Sequence, residues 1–149
     1  MRVREIMSDH VVCCTPDTNL RDVARLMTAN DCGDIPVVED GDDRRPIGVI
    51  TDRDITCRAV AEGRNPLELT AADCMSAPVV TVTPDTVLEE CCDTMARNQI
   101  RRVPVIDERG ACCGVVSQAD IARVASEGRA GQVVREVSRQ TSAPSRVNV

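Results

Sequence analysis

Two four-residue runs pair a hydroxyl with a carboxylate at a spacing that could do chemistry: Thr51-Asp52-Arg53-Asp54 and Ser117-Gln118-Ala119-Asp120. Each directly follows a short apolar run led by glycine, Gly48-Val49-Ile50 and Gly114-Val115-Val116. A strand that turns into a helix at this point leaves first-turn N–H groups free and presents the positive end of a helix dipole, which suits an anion. The hydroxyl could then meet a phosphate oxygen, and the carboxylate could take both hydroxyls of a ribose. The same spacing is also a capping box with Asp in place of Glu, in which the two side chains satisfy the helix's own free N–H groups. Spacing alone favours the cap, whereas its recurrence favours a site.

The other reactive side chains are nine cysteines and a single histidine, His10. An odd count with adjacent pairs, and no secretory leader before them, argues against a secreted disulfide framework. No two cysteines have C-x-x-C spacing, so a zinc site would have to be assembled from scattered thiolates. Reduced, mostly buried thiols acting as small hydrophobes are the preferred reading, and no metal site is expected. No Ser/His/Asp or Cys/His set is visible, and there is no lysine for Schiff-base chemistry, so catalysis is not expected. A thiol or metal sensor built on the cysteine pairs is a minor alternative.

Composition narrows the partners. The 149 residues carry a net charge of -6, all 18 basic residues are arginine, and Phe, Tyr and Trp are absent. An acidic chain without stacking rings is a poor nucleic-acid binder. No apolar run approaches the roughly 20 residues needed to span a bilayer, and Met1 to Ile6 lacks the apolar run of a secretory signal. A soluble, cytoplasmic protein without membrane contact is expected.

The elements that must position the hydroxyl–carboxylate runs come from an internal repeat. Met7-Ser8, Thr15-Pro16-Asp17-Thr18 and Ile35-Pro36-Val37-Val38 return 68 residues later as Met75-Ser76, Thr83-Pro84-Asp85-Thr86 and Val103-Pro104-Val105-Ile106. The segments Gly48–Ile55 and Gly114–Ile121 match at an offset of 66, the change falling in a polar turn where length varies cheaply. Each unit predicts a short strand (near Val11-Val12, or Val79 to Val82) leading into Thr-Pro-Asp-Thr. Thr86 with Glu89 reads as a capping box. Leu20, Val23, Ala24 and Met27 recur at helical spacing, as do Leu88, Cys91, Cys92 and Met95. Two short strands and a second helix follow in each copy.

The expected fold is α+β: two β-α-β-β-α repeats related by a pseudo-two-fold axis, sheets packed together with helices outside. One such unit could hardly bury its own sheet. The units are expected at 1–64 and 74–128, with a connecting segment at 65–73 and a partly disordered extension at 129–149. A helix is expected to break at Glu127-Gly128, a helix or strand to form at 133–137, and disorder to begin at Thr141. Five cysteines (Cys32, Cys74, Cys91, Cys92 and Cys113) stand opposite apolar residues of the other copy, which supports core packing. Cys13 and Cys14 align with Thr81 and Val82 and are less clear.

The duplicated Met-Ser, Thr-Pro-Asp-Thr, (Ile/Val)-Pro-Val and Gly-h-h-(Thr/Ser)-x-x-Asp series (h, apolar) resembles a tandem pair of cystathionine-β-synthase-type (CBS) repeats, or Bateman module, over residues 3 to 125. The resemblance is to stand-alone bacterial members. It implies a regulatory protein without a cofactor that binds AMP, ADP, ATP or S-adenosylmethionine between its repeats. It further implies a homodimer that signals to an effector protein; a ligand-free dimerisation scaffold is the alternative. Carried over, Val49, Thr51 and Asp54 face Met75, Val80, Ile100, Arg101 and Arg102 in one site. Met7, Val12, Cys32 and Gly33 face Val115, Ser117 and Asp120 in the other. Arg101-Arg102 stand where copy one has Gly33-Asp34, so phosphate is expected to prefer the Asp54 site. Asp34 would repel it at the other, unless an arginine from across the cleft compensates.

Overall fold

A computed structural model of the chain describes residues 1–41 and 43–139. The expected disorder from Thr141 lies outside them. Copy one contains α1 (Leu20–Asn30), β1 (Asp34–Val38), β2 (Pro46–Thr51) and α2 (Asp52–Ile55), the last continuing as a π-turn over Thr56–Val60. After a 3₁₀ turn at Pro66–Glu68 comes α3 (Ala71–Cys74). Copy two contains α4 (Leu88–Asn98), β3 (Arg102–Ile106), β4 (Cys112–Ser117) and α5 (Gln118–Val124), followed by α6 (Glu127–Val137).

The class is α+β, with two small antiparallel sheets, β1–β2 and β3–β4. Their registers correspond: Asp34 pairs with Thr51 as Arg102 pairs with Ser117, and Pro36 with Val49 as Pro104 with Val115. The expected first strand of each unit is reduced to one parallel bridge, Cys14 to Val37 and Val82 to Val105. In the first bridge, Cys14 donates its N–H to the Pro36 carbonyl at 3.0 Å and its own carbonyl accepts from Val38 at 2.8 Å. A proline on the receiving strand has no N–H, and the Thr-Pro-Asp-Thr turn follows at once, so the pairing has no room to extend.

The packed halves exchange their leading segments. The 3₁₀ turn Val3–Glu5 docks on copy two, where Val3 donates to the Thr86 carbonyl at 2.9 Å and its side chain is fully buried beside Cys91, Met95 and Val103. Reciprocally, α3 docks on copy one, where Ala71 donates to the Thr18 carbonyl at 2.8 Å and Ala71 and Cys74 join Val23, Ile35 and Ile50. The Met-Ser segments cross as well: Ser8 bridges Val115, and Ser76 bridges Val49.

Three local expectations are corrected. Thr86 is not a helix cap: its hydroxyl closes its own turn by accepting from the Thr83 N–H at 3.0 Å, and α4 starts after Val87 with no side-chain cap. Ala24 is exposed, although its counterpart Cys92 is fully buried. The difference comes from α6, which lies on α4 and adds Val133 and Val137 to that half's core alone. Arg129 of α6 pins the two helices by pairing with Glu89 at 3.2 Å and with Asp93. Lastly, the helix break falls at Ala125, and Ser126 caps α6, so Glu127-Gly128 form its first turn and 133–137 are helical.

Candidate functional site

Both hydroxyl–carboxylate runs are closed capping boxes. The Thr51 N–H donates to Asp54 Oδ2 at 3.0 Å and the Asp54 N–H to Thr51 Oγ1 at 2.9 Å. In copy two, the Ser117 N–H and hydroxyl both donate to Asp120 Oδ2, at 2.8 and 2.9 Å, and the Asp120 N–H returns to Ser117 Oγ at 3.2 Å. The helices behind them are short, four and seven residues before the geometry changes, so little macrodipole stands behind either box. The capping reading is therefore satisfied in full, and any site depends on what surrounds the boxes.

The surroundings differ. Around Asp120 is a cavity of about 260 Å³. Val12, Cys32, Val115, Ser117 and Asp120 of the expected Asp120 set line it, joined by Val49 and Arg102 of the other set. Met7 and Gly33 do not line it: the Met7 sulfur packs over Gly114, and the Gly33 carbonyl accepts from the Asp52 N–H at 2.9 Å. Beside Asp54 stands Arg58, and beside Asp120 stands Arg123, its Nη1 3.0 Å from Asp120 Oδ1. The Arg58 guanidinium donates to the carbonyls of Cys74 and Met75, at 3.1 and 2.8 Å, and lies 3.8 Å from Asp54 Oδ1. Ser76 Oγ donates to the same carboxylate at 3.4 Å. Val80 and Ile100 pack against the copy-two core and Met75 against the copy-one core, while Arg101 is exposed.

Arg102 departs most from expectation. It lines the Asp120 cavity, where its Nε stands 3.1 Å from Asp34 Oδ1. These two residues occupy the same position of the repeat, the first residue of β1 and of β3, so the pseudo-two-fold brings them face to face. The compensation across the cleft that Asp34 requires is present, and Arg102 is not a free cation beside Asp54. The contact lacks hydrogen-bond alignment, so Asp34 Oδ1 is buried with no hydrogen-bond donor among the described residues. Burial raises the Asp34 carboxyl above its ordinary range, Arg102 opposing this and Asp52 adding to it.

Sequence reasoning passed over Ser8, His10, Val11, Asn30, Pro36 and Pro104 as lining residues, whereas Asp34 was expected at this site. A signal existed for some of them. Pro36 with Pro104, and Val49 with Val115, are equivalent positions, as expected of a cavity on the pseudo-axis. His10, where copy two has Pro78, carried no signal, because nothing in the repeat marks that position.

The sequence matches the CBS domain family twice, over residues 3–59 and 71–127. The chain belongs to the CBS-domain family. Among relatives, the uncharacterized protein MK0525 of Methanopyrus kandleri is 35% identical over 122 residues, 82% of this chain and 61% of that protein. Hypoxic response protein 1 of Mycobacterium tuberculosis is 35% identical over 134 residues, 90% of this chain and 92% of it. A crystal structure of Hypoxic Response Protein I with two coordinated zinc ions superposes with a TM-score of 0.76 at 34% identity, covering 85% of this chain and 100% of that one. The CBS domain pair of MJ0100, in complex with 5′-methylthioadenosine and S-adenosyl-L-methionine, gives a TM-score of 0.73. It is 23% identical, covers 83% of this chain and 98% of its own, and so shows the fold alone. Among the described residues no three His, Cys, Asp or Glu side chains converge as metal ligands. No helix among those residues is long and apolar enough to cross a membrane.

Proposed function

We propose that this chain is a regulatory CBS pair, not an enzyme, and that it binds an adenosyl compound in the cavity beside Asp120. The observation that carries the reading is the cavity's composition. Its walls are apolar (Val12, Cys32, Val49, Val115), while Ser117 and Asp120 supply the polar group suited to a ribose. At a nucleoside-sized space, Asp34 is paired with Arg102 at 3.1 Å and Asp120 with Arg123 at 3.0 Å, so both guanidiniums are already matched by a carboxylate. That balance disfavours a polyphosphate and suits a neutral or zwitterionic adenosyl ligand, whose ammonium Asp34 would take and whose carboxylate Arg102 would take. The MJ0100 pair, of the same fold, was crystallised with two such compounds.

In this reading the order of the two sites differs from that expected of Arg101-Arg102, because Arg102 serves Asp34. Val49, Thr51 and Asp54 with Met75, Val80, Ile100 and Arg101 form the weaker site, where Arg58 donates to the carbonyls of Cys74 and Met75. A homodimer in the cytoplasm belongs to the same proposal; exposed Val60, Leu67 and Val124 offer apolar surface for it, and sedimentation measures it.

The absence of aromatic residues makes the first test direct. The purified chain absorbs almost nothing above about 250 nm, so a band near roughly 260 nm that passes a filter after denaturation is a co-purified adenine compound. Calorimetry with S-adenosylmethionine, 5′-methylthioadenosine, AMP and ATP then ranks the ligands. The reading expects the first two to bind more tightly than ATP, and Asp120→Ala to weaken them by about tenfold or more, since a charged hydrogen bond is lost. Binding by none of the four, or affinity untouched in Asp120→Ala, overturns it.

A further inference from the structure

Two thiols from opposite halves of the molecule meet outside the cavity. Cys13 precedes the Cys14 bridge of copy one, and Cys112 opens β4 of copy two. Their side chains are neighbours, with the Cys112 Sγ donating to the Gly114 carbonyl at 3.7 Å. Arg44 joins them: its Nη2 donates to Cys13 Sγ at 3.5 Å, and its backbone carbonyl accepts from the Cys112 N–H at 3.0 Å. Arg44 holds this place with a left-handed backbone, φ 44°. Cys13 is half-buried and reachable, whereas Cys112 is buried behind it.

The fold does not require this arrangement. The bridge and strand registers make Thr81 and Pro46 the counterparts of Cys13 and Cys112, so the symmetric position holds no sulfur. The other buried thiols replace apolar core residues, and burial pushes Cys14 and Cys91 up to about 12, which makes them inert. Cys13 moves the opposite way, lowered to about 7 by the neighbouring Cys112 thiol, with Arg44 helping against burial. Cys112 is raised, because it is the partner that keeps the proton.

We propose that Cys13 is a hydroperoxide-reactive thiol and Cys112 its resolving partner, so that oxidation closes a disulfide between the two repeats. In the first step the Cys13 thiolate attacks one oxygen of the hydroperoxide. The S–O bond forms, the O–O bond breaks, and the departing oxygen leaves as water or an alcohol after taking a proton from solvent. Cys13 is thereby oxidised by two electrons to the sulfenic acid. In the second step the Cys112 sulfur attacks Cys13 sulfur: S–S forms, S–O breaks, and hydroxide leaves with the Cys112 proton as water. Arg44 holds the thiolate and remains beside the leaving oxygen. The bond ties the Val11-Val12 wall of the cavity to β4, which carries Val115 and Ser117 of the opposite wall.

The test uses the full chain, reduced and then given about one equivalent of hydrogen peroxide near neutral pH. Digestion after arginine places Cys13 in the peptide 5–21 and Cys112 in 110–123, and fragmentation separates each from its neighbours Cys14 and Cys113. The expected product is one linked pair, Cys13 to Cys112. With its thiol lowered beside Arg44 and the buried thiols raised, Cys13 should be the first cysteine to react. In Cys112→Ser the linked peptide disappears and a 1,3-diketone traps the Cys13 sulfenic acid; in Cys13→Ser and Cys13→Ala neither product forms. Far-ultraviolet circular dichroism of the reduced variants checks that they fold. A different cysteine pair forming first, or a diketone adduct on another cysteine in folded Cys13→Ser, overturns the proposal.

Discussion

Arg102→Gln tests whether the Asp34–Arg102 pair holds the two halves at the cavity. At 3.1 Å and an effective dielectric near 20, two unit charges attract by about 5 kcal/mol before desolvation and screening. The Arg102 side chain is 38% exposed and Asp34 22%, so most of that attraction is screened and a coupling of about 1 kcal/mol is the figure to expect. The single variants should differ. Asp34→Asn leaves a half-exposed guanidinium that water can solvate, and its cost should stay near 1 kcal/mol. Arg102→Gln leaves a carboxylate whose Oδ1 is buried without a donor, and should cost about 2 kcal/mol, or several degrees of melting temperature in a chain of this size. The double variant should recover part of the loss. Urea unfolding must be followed by far-ultraviolet circular dichroism, since the chain has no Trp or Tyr to fluoresce. If Arg102→Gln proved no more harmful than Asp34→Asn, or the cycle showed no coupling, the pair would be a surface contact without structural consequence.

The Asp34 carboxyl also sets a pH dependence of its own, distinct from the ion pair, which needs it ionised. Burial raises the folded-state pKa of Asp34 above the unfolded one, so the contribution is full below the unfolded value, about pH 4, and is lost as pH rises through the folded value. Arg102→Gln removes the opposing charge and widens that window upward; urea midpoints from about pH 3 to 7 should fall more steeply than in the parent chain. At the repeat crossings, Gly114→Ala would place a Cβ 2.8 Å from the Met7 sulfur and 3.0 Å from the Ser8 carbonyl, and Gly48→Ala 2.8 Å from the Ser76 carbonyl. Each should cost about 1–3 kcal/mol, with Gly48→Ala the worse because backbone cannot step aside as a thioether can. Equal and negligible losses for both would mean that the Met-Ser crossings are loosely held.

Repetition made most of the fold legible. Equal offsets for Met-Ser, Thr-Pro-Asp-Thr and the proline strands placed α1 against α4 and β1–β2 against β3–β4 without any knowledge of contacts. The exchange of leading segments was not legible, because Val3 and Cys74 look the same in sequence whichever half they enter. Nor was the exposure of Ala24, which depends on α6 covering only one half. For the site, five of seven residues expected around Asp120 do line a cavity. Arg102 was assigned to the other site because the chain places it next to Arg101 and opposite Asp34 in the repeat, with nothing to say that opposite positions touch.

That contact shows how a nearly symmetric chain arrives at one open cavity. Residues on a pseudo-two-fold meet their own counterparts, so any position there is a pair, and like charges would repel across it. Asp34 with Arg102 resolves the conflict by sign, the two charges standing 3.1 Å apart. Away from the axis, counterparts are independent and can diverge freely. Arg58, whose place in copy two is taken by Val124, donates to the Met75 carbonyl at 2.8 Å beside Asp54. Opposite it, Val124 is out in solvent, and the space beside Asp120 stays open. Each carboxylate has an arginine of its own, Arg58 at 3.8 Å from Asp54 and Arg123 at 3.0 Å from Asp120, and Arg58 also donates to the carbonyls of Cys74 and Met75. Arg58→Val should therefore open a second cavity at Asp54, and a stoichiometry of adenosyl binding that stays unchanged in that variant would show that Arg58 is not what closes it.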